Sequence, residues 1–414
     1  MKRPLRNSGR LLCVVLMFLL LLTGSSLLPG TAANTAQNAL NQPASDGVIT
    51  ISLEEYNRLK QYEEMDELLQ IVEAFYYQEP DVNAMIENAE RGLLYGLEDP
   101  YTFYYSATQF EEMWADDEGE YAGIGIQLMG SYETFLCVIT RVFDGSPARD
   151  AGLRKGDILI KVEELDVTAY SLNEAVSIMR GEPGKTVEIQ VLRGDETLAF
   201  TIPRAVIHVN RVSSCMLDAS TGYIALYDFA GDCSITFREQ LDELIEQGAK
   251  SLVLDLRDNA GGWVEDAVTI ADFFLPEGTV TYMEDRYGKR EYYKSTPGEV
   301  SIPLVVLINE NSASSSELLA GALQDHKRAT IVGTQSFGKG VVQIVLPVGT
   351  EGAGMQVTTA QYFTPDGNHV HKVGITPDVE AALPEGDTTW YELGDLNDVP
   401  LKKAYEVALE LAGK

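Results

Sequence analysis

Between residues 222 and 333 short apolar runs alternate with segments of helical period, and this alternation limits the fold more than any other feature of the chain. Residues 222–229, 251–256, 303–308 and 329–333 are short, nearly unbroken apolar runs and read as buried strands. Residues 237–245, 264–274 and 314–324 have the helical pattern, with Leu318, Leu319, Ala322 and Leu323 at helical spacing in the last. An α/β region is therefore expected. Its third strand ends in a serine cluster, Ser312, Ser314, Ser315 and Ser316, which opens a helix. A hydroxyl there sits rigidly at the carboxyl edge of a sheet, near helix N-terminal amides able to steady an oxyanion. The fourth strand runs into Ser336-Phe337-Gly338-Lys339-Gly340, whose glycines let a lysine approach another backbone, and the strand after it carries Gln343. Lysine takes a serine's proton only when neutral. Its pKa must then fall from about 10.4 to roughly 7 to 8, which disfavours the charged form by about 4 kcal/mol. Phe337, Val341 and Val342 offer an apolar setting, and Gln343 can orient the amine without adding charge.

The strings over residues 312–325 and 332–343 closely resemble the core of the carboxyl-terminal processing (tail-specific) peptidases. In that family the nucleophile lies three residues before the Glu, the lysine 25 after the nucleophile, and a glutamine four after the lysine. Those offsets fall on Ser314, Lys339 and Gln343. Ser315 stands where alanine is usual, so spacing alone leaves Ser312, Ser315 and Ser316 as rival nucleophiles. Asp255-Leu256-Arg257-Asp258-Asn259-Ala260-Gly261-Gly262 is a second family-like string. The resemblance implies that the amides of Gly261 and Ser315 form the oxyanion hole. The alternative is a plain strand-to-helix loop whose glycines only permit the turn. Asp255 and Arg257 read as an ion pair that fixes this loop, and Asp325, where the family has an acidic residue, reads as structural. Asp99-Pro100-Tyr101 and Gly374-Ile375-Thr376-Pro377-Asp378 are also family-like.

Residues 121–204 alternate strands and turns around one helix, 172–179, and resemble a PDZ domain of the bacterial protease type. The resemblance implies that Gly123-Ile124-Gly125-Ile126 is the loop that cradles a terminal carboxylate while the ligand adds as a strand. Ala175, Val176 and Met179 either line the side-chain pocket or belong to the PDZ core. Upstream, Ser52-Leu53-Glu54-Glu55 reads as a capping box. Two amphipathic helices follow, one carrying Leu53, Tyr56, Leu59, Met65, Leu68, Leu69, Val72 and Phe75, the other beginning near Asp81. Their apolar faces pack on the rest of the chain or on another copy, and the resemblance implies a homodimer formed through terminal helices.

Lys2, Arg3, Arg6 and Arg10 precede an apolar run over 11–22, with a possible cleavage site near Ala33. This is the make-up of a signal peptide, so export is expected. The run is short of the about 20 residues that span a bilayer, but its extension to Leu28 leaves a membrane anchor open. The formal charge of −32 disfavours nucleic acid as a partner, because phosphates are repelled. Cys137, Cys215 and Cys233 are an odd set beyond the leader and are expected as buried thiols. The expected divisions are a signal peptide or anchor over 1–33, a linker over 34–51 and an N-terminal helical region over 52–115. A PDZ domain over 116–205, a peptidase core over 206–382 and a tail with a helix over 383–414 follow.

Two other chemistries fit poorly. Residues 333–340 imitate a P-loop, but Gly340 stands where Ser or Thr must hold magnesium, and a strand rather than a helix follows. For a Ser-His-Asp site, His326 lies about three turns along the helix from Ser314 and no Gly-x-Ser-x-Gly occurs. His369 and His371 share a strand face without a carboxylate cluster and read as surface histidines rather than a metal pair. The expectation is a multidomain α/β protein: an exported serine endopeptidase for proteins with free C-termini, using Ser314, Lys339 and Gln343 without metal or organic cofactor. The alternative is a catalytically inactive PDZ protein that binds C-termini.

Overall fold

The computed structural model describes residues 49–413 except 118, 132–133, 144, 297–299, 385–386, 388 and 390. The leader expected over 1–33, with its possible cleavage site, lies outside the described residues. The chain forms two compact units, Met1–Met85 and Ile86–Lys414.

In the first unit Ser52 Oγ accepts from Glu55 N at 3.1 Å and starts the helix Leu53–Leu59. The turn Lys60–Tyr62 then interrupts what the sequence suggests as one helix, before Glu63–Phe75 continues it. No residue of these elements is buried: Leu53 is 75% and Phe75 83% exposed, so the apolar stripe is uncovered.

The second unit contains an antiparallel PDZ sheet in the order Ile126–Gly130, Cys137–Val142, Ile158–Val162, Thr186–Arg193, Glu196–Pro203. Its core gathers Ile124, Ile139, Leu159, Ala175, Val187 and Ile189. The region beyond it is built on a six-stranded sheet, ordered Val212–Met216, Thr221–Leu226, Ser251–Asp255, Leu304–Ile308, Ala329–Gly333, Val379–Glu380. All neighbours but the first pair are parallel. The strands Thr221–Leu226, Ser251–Asp255 and Leu304–Ile308 are buried at every position because both faces are covered, which is why their sequences are nearly unbroken apolar runs. One face carries the helices Cys233–Glu246, Val264–Asp272 and Ser315–Asp325. On the other, Leu401, Ala404 and Ala408 of the helix Val399–Leu411 meet Tyr223, Val253, Val305 and Leu307. The segment expected as a tail over 383–414 therefore supplies one layer of the catalytic core.

A second sheet carries the strand that follows Lys339. Its long strand Ala353–Phe363 pairs along one edge with Val341–Val348, and along the other with Phe103–Tyr105 and then Gly278–Asp285, which pairs in turn with Arg290–Ser295. The strand Phe103–Tyr105 lies inside the region expected to be helical; its register, Phe103 opposite Gln356 and Tyr105 opposite Gly354, ties residues 99–105 to this sheet.

Candidate active site

Ser314 joins the strand Leu304–Ile308 to the helix Ser315–Asp325 with φ 55° and ψ −116°. That left-handed φ costs a non-glycine residue about 1–3 kcal/mol, so the surroundings must enforce it. They do so through hydroxyls. Ser312 Oγ donates to Leu256 O (2.7 Å), Ser316 Oγ to Asn259 O (2.9 Å), Ser315 Oγ to Gly262 O (2.9 Å), and Tyr362 OH to Ser314 O (2.9 Å). The three rival serines are buried and spend their protons on the 256–262 loop. Among the described residues Ser314 Oγ donates to no carbonyl. A strand-turn-helix elbow thus forms without the Gly-x-Ser-x-Gly string.

Glu317, three residues on, is fully buried, and its carboxylate receives four donors. Oε1 accepts from Ser336 Oγ and Gly338 N, both at 2.6 Å; Oε2 accepts from Ser314 N at 2.9 Å and Lys339 N at 2.8 Å. Burial pushes this carboxyl up, yet every partner is a donor, so the anion is the form held. One oxygen therefore fixes the backbone nitrogens of Ser314 and Lys339 within about 6 Å of each other. In the sequence this Glu served only to mark spacing; the signal was its position three residues into a helix that opens on Ser, the capping-box pattern.

Lys339 is delivered by residues that must be glycine: a Cβ on Gly340 would lie 2.2 Å from His371 N. Desolvation lowers Lys339 to about 8, against the opposing pull of Glu317 and then Asp99. Its Nζ lies 4.9 Å from the centre of the Tyr101 ring. It forms no hydrogen bond among the described residues, to Ser314 or otherwise. Gln343, expected to orient the amine, instead donates to Thr358 Oγ1 at 3.2 Å, because a register shift between Val342 and Gln343 sets it opposite Thr358.

The loop expected to supply an oxyanion donor differs from expectation in one respect. Gly261 has φ +100°, and a Cβ there would lie 2.7 Å from Ser314 Cβ, so the loop packs directly on Ser314. The Gly261 amide, however, donates to Asn259 Oδ1 at 2.8 Å and is occupied within its own loop. The Ser315 amide, first in its helix, has no acceptor among the described residues. Arg257 pairs with Asp255 (2.7 Å), as expected, and also with Asp398 (2.8 Å), which caps the helix Val399–Leu411. Asp258 is met by Lys155 from the PDZ domain and by Asn309 Nδ2 (2.9 Å) and Asn311 Nδ2 (2.8 Å). Burial alone would raise its carboxyl; Lys155 and the two amides outweigh that and hold it below the usual range.

In the PDZ domain a groove of ≈220 Å³ is lined by Gly123, Ile124, Gly125, Ile126, Val176 and Met179, together with Tyr121, Leu172 and Arg180. The amides of Ile124 and Gly125 have no acceptor among the described residues, as a carboxylate-binding loop requires. Ala175 does not line the groove. Ala175 shares the helix face of Leu172, Val176 and Met179, but its side chain is a single methyl group that is fully buried in the core.

The remaining candidates lie elsewhere. His326 Nε2 meets Thr279 O at 2.8 Å and His369 Nε2 meets Gln361 Oε1 at 3.0 Å, so neither serves Ser314. Asp325 accepts from Asp366 N (2.9 Å) and Asn368 Nδ2 (3.3 Å), holding a turn. Cys137 and Cys233 are buried free thiols; Cys215 is free but only half-buried.

Residues 220–381 match peptidase family S41, and residues 122–203 match a PDZ domain. The carboxy-terminal-processing protease of Bartonella bacilliformis is 36% identical over 342 residues, covering 80% of this chain and 78% of that protein. The carboxyl-terminal-processing protease of Synechocystis sp. is 37% identical over 294 residues, covering 69% and 68%. Among solved structures, a photosystem II D1 C-terminal processing protease superposes with TM-score 0.65 at 29% identity, covering 84% of this chain and 97% of that one.

Proposed function

This chain belongs to peptidase family S41, the carboxyl-terminal processing serine peptidases, and we propose that it cleaves peptide bonds with a Ser314–Lys339 dyad and recruits substrates by their C-termini through the PDZ groove. The observation that carries the dyad is the Glu317 carboxylate, which accepts from the backbone nitrogens of both residues.

In this reading neutral Lys339 takes the Ser314 proton as Oγ attacks the scissile carbonyl carbon. The carbonyl π electrons move onto oxygen, and the resulting oxyanion accepts a hydrogen bond from the Ser315 amide. The Lys339 ammonium then gives its proton to the leaving amine as the C–N bond breaks. Water attacks the acyl-enzyme with Lys339 again as base, and Ser314 is regenerated. Two adjustments complete the site: Nζ turns to Oγ, and the Gly261 amide leaves Asn259 to become the second oxyanion donor. Gln343 supports the amine once it turns from Thr358. The Lys155–Asp258 contact gives the PDZ domain a physical hold on the loop that must make the second adjustment.

One assay tests this reading: hydrolysis of an unfolded polypeptide ending in an apolar residue with a free carboxylate, followed across pH. Because the base must be neutral and Lys339 is lowered to about 8, activity disappears as pH falls through that value. The expected rate at pH 6.5 is roughly thirty-fold below that at pH 9. Amidating the substrate's C-terminus is expected to lower kcat/KM about 10- to 100-fold, the worth of one or two charge-assisted hydrogen bonds. A rate flat between these pH values would remove the lysine base; equal cleavage of free and amidated chains would remove the PDZ recruitment.

Export and self-association belong to the same proposal. Residues 1–33 have the composition of a leader, and the exposed stripe of Leu53, Tyr56, Leu59 and Phe75 is a surface that a second copy would cover. The protein is expected in the extracytoplasmic fraction and as a dimer in sedimentation; a cytoplasmic monomer would contradict both.

A further inference from the structure

The Asp99–Thr102 turn is the least explained part of the site. It comes from far upstream, yet it is bonded to the strands around the base. Thr358 N donates to Thr102 Oγ1 (3.0 Å), Gln356 Nε2 to Tyr101 O (3.2 Å), and Thr358 Oγ1 accepts from Gln343 (3.2 Å). Within the turn, Asp99 accepts from Thr102 Oγ1 at 2.7 Å and Tyr101 N at 3.0 Å. This anchoring sets the Tyr101 ring 4.9 Å from Lys339 Nζ.

We propose that Tyr101 is a positioning residue for the peptidase reaction: its ring face covers the Lys339 amine and stabilises the ammonium as it forms. The inference rests on Lys339 being the base. A carboxylate in the same place would keep the lysine charged and prevent it from accepting a proton. An aliphatic side chain would exclude water but give the cation nothing. An aromatic face does both, because it is apolar towards water and its quadrupole attracts a cation. The attraction is absent while the amine is neutral and grows as the Ser314 proton arrives, so it favours the transition state over the ground state. The other groups acting on the amine are Glu317, from the helix Ser315–Asp325, and Asp99, from the turn itself. His371 bears on Asp99, and Tyr362 OH is spent on Ser314 O.

The test compares Tyr101→Leu, which keeps an apolar cover without the ring, with Tyr101→Phe, which keeps the ring, in the full chain. For Tyr101→Leu we expect kcat roughly 3- to 30-fold lower and the acid limb of the pH–rate profile moved to lower pH, because the cation has lost a stabilising partner. Tyr101→Phe should restore the parent's acid limb and most of its rate. If Tyr101→Leu lowers the melting temperature, Tyr101→Met serves as the ring-less variant. An acid limb unchanged in the ring-less variant, whether or not the rate falls, overturns the proposal, as does Tyr101→Phe behaving like Tyr101→Leu. Lys339→Ala separates the two readings. If it retains activity, the dyad itself is wrong; if it is inactive while the acid limb ignores the ring, only the role of Tyr101 is lost.

Discussion

Ser314→Ala and Lys339→Ala are each expected to lower peptide hydrolysis by on the order of 10⁴-fold or more, and the double variant to be no slower than either alone. The two groups act as one unit. A hydroxyl without a base attacks no faster than an ordinary alcohol, and an amine without a nucleophile has no proton to take. Additive losses would mean that each residue works independently, which the mechanism forbids. Ser315→Ala supplies the contrast. It removes only the Oγ bond to Gly262 O and keeps the backbone amide on which the oxyanion relies, so it should stay within about tenfold of the parent. Normal turnover by Ser314→Ala, measured on protein free of other proteases, would displace the nucleophile to another residue.

Glu317→Gln is expected to be nearly as damaging although it changes one atom. Each carboxylate oxygen receives two donors, Ser336 Oγ and Gly338 N on one, Ser314 N and Lys339 N on the other. An amide must turn its NH₂ towards one of these pairs: facing Ser314 N and Lys339 N it sets donor against donor twice, and facing Gly338 N once, since the Ser336 hydroxyl can turn to accept, while every remaining bond loses its charge assistance. The loss is about 3–5 kcal/mol. Part appears as a melting temperature lower by several degrees, and part as kcat reduced roughly 10²- to 10³-fold, because the nucleophile and base loops are no longer tied together. The surviving activity carries a second signature. Glu317 raises the Lys339 pKa, so neutralising it should move the acid limb to lower pH. Wild-type rates in Glu317→Gln would refute the coupling.

What the sequence disclosed and what it withheld divide by the range of the interactions. The strands Ser251–Asp255 and Leu304–Ile308 are visible as apolar runs because burial on both faces leaves a local record. The PDZ domain and the Ser314, Lys339 and Gln343 offsets are visible through their resemblance to a family. By contrast, Phe103–Tyr105 is three residues long and pairs with a strand some 250 positions later, so nothing local announces it. The hairpin Gly278–Asp285 and Arg290–Ser295 went unnoticed because its outer strand, Arg-Glu-Tyr-Tyr-Lys-Ser, is largely exposed and polar. Residue identity also leaves open where a side chain or amide turns. Gln343 faces Thr358, and the Gly261 amide faces Asn259, through a register shift and a loop conformation that spacing does not encode. That three of the four serines act as braces depends on the carbonyls of the 256–262 loop, which only the packed loop brings alongside.

The positive φ of Ser314 sets stability and selection against each other at a single position. Glycine adopts that backbone at little steric cost, whereas serine holds it at about 1–3 kcal/mol. Ser314→Gly, which removes the hydroxymethyl group and with it the proposed nucleophile, is thus a substitution the fold would accept readily. In a lineage where proteolysis ceased to matter, drift at this codon would run downhill, and what remained would be a well-folded scaffold with its PDZ groove intact. The strained φ thus falls at the one position where the proposed chemistry needs a hydroxyl.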